Sequence, residues 1–291
     1  MKITYKLLSE IAHGQDGVVK NGYVFRFDGN AICHVYDLRK IKGDGSKESE
    51  ITTFTLDRAD ELTPHCNAVM FGKEYFSPDD EFPLLYCNLY NAYDGKPDQM
   101  WGVCCVYRLQ RNGESFKTDL VQIIEIGFVK DIELWRSCTD RRDQRPFGNF
   151  TIDTEKGIYY AFTMRDKPHE TRYFAFDLPA LKDGKMDPVY NVNRVVLNRE
   201  DIKDYFDGDY SNYLQGACFH DGKIYSTEGG CRSVYNPAAM KVIDPAKRCQ
   251  IDAINLVEIG LELEPELIDF DGDTCYFCDN YGFLYTLDIE F

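Results

Sequence analysis

Between Gln215 and Asp244 the chain reads QGACFHDGKIYSTEGGCRSVYNPAAMKVID, and its apolar positions fall into three short runs separated by turn residues. Gln215 to Phe219 is the first run, and Lys223 to Thr227 is the second. Between them, His220-Asp221-Gly222 is a turn of the Asp-Gly type that tight hairpins favour. Met240 to Ile243 forms a third strand, which stops at Asp244-Pro245, where proline removes a ladder donor and aspartate suits a turn.

The same pattern recurs along the chain. Gln15 precedes Gly22 in GQDGVVKNGYVFRF by the interval that separates Gln215 from Gly222, so the two hairpins align without a gap. Third strands recur as HVYDL at Asp37, CVYRL at Arg108, YFAFDL at Asp177, MKVIDP at Asp244 and LYTLDI at Asp288. Strand-rich repeats of about 40 to 50 residues, with longer ones carrying insertions, mark β-propellers, in which four-stranded blades pack face to face around an axis. Ile51–Leu56, Leu120–Ile126, Arg194–Leu197 and Ile251–Val257 are the expected fourth strands of the first four units. The fifth unit has none of its own, and Ile3 to Ile11 is expected to supply it. The fold class is therefore all-β, a five-bladed β-propeller with four-stranded antiparallel blades, its last blade closed by the N-terminal strand. Six blades is the alternative if the long second unit hides another. Residues 1–291 are expected to form a single propeller domain.

Composition narrows the partners. Aromatic residues make up 14% of the chain, which suits sheet-on-sheet packing. A formal net charge of −16 argues against nucleic acid, whose binding depends on neutralising phosphates with Lys and Arg. A neutral or cationic polar small molecule, a glycan or a protein is easier to accommodate. MKITYKLLSE has no apolar h-region, and no stretch approaches a membrane span, so no membrane partner and a cytoplasmic location are expected, with export only if a leader has been removed. The cysteine count of 11 is odd for a disulfide framework. Cys33, Cys87, Cys104, Cys105, Cys218 and Cys275 fall within strands and read as reduced core residues.

Metal and cofactor signals read as structure. Cys275 and Cys278 have CxxC spacing, but on a strand residues three apart face opposite sides. IDFDGDT around Asp269, Asp271 and Asp273 places its glycine wrongly for an EF-hand and aligns with the hairpin turns of the other units. Asp207-Gly208-Asp209 falls in an inter-blade connection, where a cation is slightly more plausible. Asn149-Phe150-Thr151 matches a glycosylation acceptor but opens a strand. No P-loop, GxSxG or HExxH occurs, and neither cofactor nor metal is expected.

The candidate site is the mouth of the channel. Each first strand opens on polar residues that apolar packing does not require: Gln15 and Asp16, His65 and Asn67, Asn149, Gln215, and Glu266. Such a ring is expected to be accessible and to converge on one cavity near the axis. The long connections 91–100, 129–147, 198–214 and 228–239 open on the same face, where loops on a rigid scaffold carry function. They bring Trp101, Trp135, Tyr205, Tyr210, Tyr213 and Tyr235 beside Arg136, Arg141, Arg142, Arg165 and Arg232, a combination able to stack on and hydrogen-bond a sugar. Asp16, Glu266 and Glu228 are the catalytic candidates, since glycoside hydrolysis needs two facing carboxyl groups. Gln15, His65, Asn67, Asn149, Arg165, Gln215, Arg232 and Asp279 are the ligand-binding candidates.

In architecture the chain resembles the five-bladed β-propellers, which include glycoside hydrolases, lectins and plant-type glutaminyl cyclases. QGACFHDGKIYSTEGGCRS also resembles the first-blade pattern of those cyclases through Gln215, Gly216, Asp221, Gly222, Tyr225, Thr227, Gly229 and Ser233. It does so in the fourth blade, with Ser226 where the pattern has a carboxylate and Glu228 displaced by two. The expected function is binding, extending to hydrolysis, of a carbohydrate or similar polar small molecule at the mouth. A non-catalytic protein-interaction scaffold is the alternative, and cyclase-like activity on N-terminal glutamine is a weaker one.

Overall fold

The computed structural model describes residues 1–89, 102–127, 149–165, 169–211 and 213–291, without the side chains of 164 and 165. Trp101, Trp135, Arg136, Arg141, Arg142 and the side chain of Arg165 thus lie outside the described residues, as do the whole of the connections 91–100 and 129–147.

The chain begins with β1 (Lys2–Glu10) and then builds blade 1 from β2 (Gly17–Lys20), β3 (Tyr23–Phe27), β4 (Ile32–Asp37) and β5 (Thr52–Thr55). Blade 2 follows with β6 (Val69–Phe71), β7 (Leu85–Leu89), β8 (Val103–Asn112) and β9 (Ser115–Ile126). Blade 3 opens with β10 (Asn149–Asp153), β11 (Ile158–Arg165) and β12 (Glu170–Asp177). Its chain then leaves the blade, forms β13 (Lys185–Met186) and β14 (Asn193–Leu197), and returns as β15 (Asp204–Asp209). Blade 4 is β16 (Leu214–His220), β17 (Lys223–Glu228), β18 (Ala239–Asp244) and β19 (Cys249–Asn255). Blade 5 is β20 (Pro265–Asp271), β21 (Thr274–Asp279) and β22 (Phe283–Glu290), and β1 pairs antiparallel with β22 as its outer strand, Lys2 opposite Glu290. The expected closure is present, and it covers what would otherwise be an open edge. No helix among the described residues is long and apolar enough to cross a membrane.

Turn chemistry explains the first hairpins. Asn21-Gly22 and Asp221-Gly222 both have two consecutive positive φ values, the geometry whose twist matches the flanking strands. Asp271 pairs with Thr274 across Gly272, so the acidic IDFDGDT stretch is a hairpin turn, as expected.

Strand alternation then distributes side chains between neighbouring blades. Along β3, Tyr23, Phe25 and Phe27 face blade 2, whereas Val24 packs into the cluster shared with blade 5. Five buried clusters result, one at each interface between consecutive blades. The first is dominated by aromatics: Phe25 lies 5.5 Å from Phe82 and 5.5 Å from Phe116, edge to face in both cases. Burying a ring of this size contributes about 1.5–3 kcal/mol. Cys275 and Cys278 sit in different clusters, on opposite faces of β21, and every described cysteine is free.

Two sequence expectations are corrected here. The segment at Arg194–Leu197 is not the fourth strand of blade 3; β14 pairs in parallel with β9 and extends blade 2 to six strands. Arg194 reaches Asp187 at 2.6 Å and Glu125, on β9, at 3.1 Å, so charge pairing holds this strand to blade 2. The fourth strand of blade 3 is β15, so Asp207-Gly208-Asp209 is strand and not loop. Arg172 on β12 forks onto Asp207 at 2.6 and 2.7 Å, which neutralises an acidic strand that hydrophobic patterning passes over.

Candidate functional site

The mouth is built by three irregularities at one level. The β16–β17 register slips between Leu214 and Ala217, leaving Gln215 and Gly216 as a bulge. The β20–β21 register slips between Pro265 and Leu267, leaving Glu266 unpaired. In blade 1, Gln15 donates to the Phe27 carbonyl and Phe27 donates to the Asp16 carbonyl, so two residues again oppose one. Bulges re-aim side chains, and these three bring Asp16, Gln215 and Glu266 toward one another. Gly216 makes the convergence feasible. A Cβ there would lie 2.0 Å from the Glu266 carbonyl and 3.1 Å from Asp16 Oδ1, so only glycine lets the strands approach.

The ring is buried, contrary to the expected accessibility. Asp16, Asn67, Asn149, Gln215, Glu266 and Asp279 are each at most 5% exposed. The reason is that most of them satisfy the main chain where blades meet. Val69 N–H donates to Asp16 Oδ2 at 2.8 Å. Asn149 holds its own strand start through Phe150 N–H at 2.9 Å and donates to the Gln215 carbonyl. Asn88 donates to Asn67 Oδ1 at 2.5 Å, and Gln215 donates to Glu264 Oε1 at 2.5 Å and to the Gly229 carbonyl at 3.2 Å. Gln15 and His65 remain half-exposed and flank Gly29.

Other candidates stand apart from the ring. Glu228 is held by Lys241 at 3.1 Å, so it is not a free carboxylate. Arg232 is largely exposed and lines a cleft of about 220 Å³ on blade 5 that Asp279 of the ring also borders. Of the loop aromatics, Tyr205 belongs to β15 and Tyr210 stacks on His169, with ring centroids 3.8 Å apart. Tyr213 and Tyr235 are exposed.

Sequence reading missed the residue at the centre of the site's electrostatics. Arg26 is completely buried, with Nη2 donating to the carbonyls of Asp279 at 2.7 Å and Gly14 at 3.0 Å. It bridges blade 5 to blade 1 at the closure. Its signal is a charged residue between Phe25 and Phe27 in a strand whose neighbours are all apolar. Nε and Nη1 of Arg26, Oδ1 of Asp16 and Oε2 of Glu266 have no partner among the described residues.

Burial pushes the surrounding carboxyls upward. Glu266 rises to about 8, chiefly through loss of water and secondarily through Glu264, with Arg26 opposing. Asp16 is also held well above the usual range by burial, against the Val69 N–H and Arg26. Asp279 rises to about 6 for the same first reason. The cluster thus offers a cation, a carboxylic acid that keeps its proton at neutral pH, and free acceptor oxygens. Among the described residues no three His, Cys, Asp or Glu side chains form a metal site.

No protein-family model and no curated protein matches this chain. Among solved structures it is similar to the glutaminyl cyclase of Myxococcus xanthus, at 9% identity over 98% of this chain and 94% of that chain, with a TM-score of 0.50. It is also similar to virginiamycin B lyase from Staphylococcus aureus, at 10% identity over 99% of each chain, with a TM-score of 0.40. At such identities the first likeness concerns the fold alone, and it agrees with the five blades seen here: the chain has the fold of the five-bladed β-propellers.

Proposed function

We propose that the protein binds a polar small molecule, a carbohydrate or a similar solute rich in hydroxyl or amide groups, where blades 4, 5 and 1 meet at the channel mouth. The observation that carries this reading is the set of bulges that brings Asp16 and Glu266 to Arg26 and against the Gln215–Gly216 bulge, with donors and acceptors left over. Buried polar groups take hydrogen-bond partners, and a ligand's hydroxyls would meet both kinds. Hydrolysis has less support. Glu266, protonated at neutral pH, has the state of a general acid. Its partner must be an ionised base, and burial raises Asp16 too while Lys241 holds Glu228.

The test is a glycan array and a polar-metabolite panel read by thermal shift, followed by calorimetry on Asp16→Asn and Glu266→Gln. Saturable binding that weakens at least tenfold in folded variants is expected. Blank panels with the wild-type protein would sink the proposal.

A cyclase-like reading is second. It is favoured by the place of the cyclase-like sequence, since that blade carries the Gln215-Gly216 bulge at the site. A carboxyl that keeps its proton could protonate ammonia leaving a glutamine side chain. Mass spectrometry of a Gln-initiated peptide would detect the cyclised product, and its absence would dispose of this reading. A protein-scaffold reading draws on Val234 and Tyr235, which are 86% and 89% exposed in the β17–β18 connection on the same face. A wild-type protein that ignores every small molecule but is captured through these two side chains would favour it.

A further inference from the structure

The geometry points to a second binding site, on the face opposite the mouth, for an organic ammonium ion. The first hairpins of blades 4 and 5 enclose a cleft of about 480 Å³ there, within the size range of small-ligand sites. Its wall is aromatic. His220, at the end of β16, stacks on Phe270 of β20 with centroids 3.9 Å apart and planes parallel to 1°. Tyr225 lies 5.0 Å from the same Phe270 ring.

Carboxylates surround this wall. Glu155, Asp221, Asp273 and Asp288 line the cleft against a single lysine, Lys223. Neither Asp273 nor Asp288 makes an ion pair among the described residues. This field disfavours an anion and draws a cation in. Aromatic faces add an attraction for ammonium groups that carboxylates alone lack. The protein displays the same recognition in miniature: the Lys223 ammonium sits 3.3 Å from Asp221 Oδ2 and 5.7 Å from the centroid of Phe291. A free ligand of this chemistry, a methylated or primary amine, would find rings and acids together in one cleft. The hairpin turns place this site away from Asp16 and Glu266, so it is independent of the mouth.

Calorimetric or NMR titration with choline tests the assignment, with the uncharged alcohol in which carbon replaces the ammonium nitrogen as control. Saturable choline binding is expected, with the neutral analogue at least tenfold weaker. Spermidine in a parallel titration distinguishes a primary from a quaternary ammonium, and binding of either cation supports the site. Asp273→Asn with Asp288→Asn should weaken binding at least tenfold, as should Phe291→Leu at a 64% exposed position. Circular dichroism would check that each variant is folded, and Glu266→Gln at the mouth should leave this binding unchanged. No saturable binding of either cation, equal binding of the neutral analogue, or full binding by the folded double variant would each overturn the assignment.

Discussion

Lys241 Nζ stands 3.1 Å from Glu228 Oε2, with side-chain exposures of only 8% and 14%. The same ammonium donates to the Tyr210 carbonyl at 2.7 Å and to Ser211 Oγ at 3.1 Å, tying β18 to the connection that enters blade 4. Removing one partner of such a pair leaves an uncompensated buried charge. Lys241→Met should therefore cost about 3–5 kcal/mol, and adding Glu228→Gln should restore part of it. Urea unfolding of the four proteins in the cycle measures both, and equal stability of all four would refute the role.

Stability should fall as pH rises from about 4 to 8. Glu266, Asp269 and Asp279 are raised by burial to about 8, about 7 and about 6. The native state then keeps protons that the unfolded chain releases above its ordinary carboxyl pKa of about 4. Their contribution is full below that value and lost as pH climbs through the native values, at up to about 1.4 kcal/mol per pH unit for each proton retained. Glu266→Gln should flatten the slope between pH 5 and 8, as followed by denaturant midpoints across that range. A slope unchanged by the substitution would contradict this.

Arg26→Met removes a cation that opposes the upward shift of Glu266. Its two carbonyl contacts at the closure are lost as well. A loss of about 3 kcal/mol or more is expected, larger at pH 8 than at pH 5, because the remaining carboxylates lose their counter-charge as they ionise. A pH-independent loss would mean that packing, not charge, is its contribution.

Gly216→Ala would place a methyl 2.0 Å from the Glu266 carbonyl. Backbone does not yield as a flexible side chain does, so a cost of about 3 kcal/mol or more is expected. Soluble yield and melting temperature report it. Wild-type values for both would show that the inner strands can part.

Deleting Lys2–Glu10 exposes the β22 edge and removes Ile3 from the cluster between blades 4 and 5. The truncated protein should be unfolded or aggregated in size-exclusion chromatography. A monomer with unchanged melting behaviour would rule out a closing role.

The repeat, the closure and the hairpin turns were legible because each rests on local chemistry: Asn-Gly and Asp-Gly turns, and a β-rich segment at Ile3–Ile11 with no other blade to join. Strand β15 was not, because Asp204, Asp207 and Asp209 disfavour a strand until Arg172, 35 residues earlier on β12, neutralises Asp207. The positions of Asp16, Gln215 and Glu266 at strand starts were readable. Their burial was not, since a bulge adds one residue and turns a side chain that a regular ladder would leave facing the channel. Arg26 escaped for a related reason: alternation assigns it a face of β3, but only the ring closure says that Asp279 lies across from that face.

The register of β1 on β22 sets Lys2 beside Glu290 and Glu10 beside Phe283. A load that draws Lys2 and Glu290 apart therefore acts on the end of the ladder, and its hydrogen bonds part in succession instead of sharing the force. The seam that closes the ring would act as a zipper under tension. Pulled in an optical trap through those two residues, the protein should release the nine residues of β1 in an early, low-force step before any blade gives way; a single high-force rupture would mean that the seam is loaded in shear.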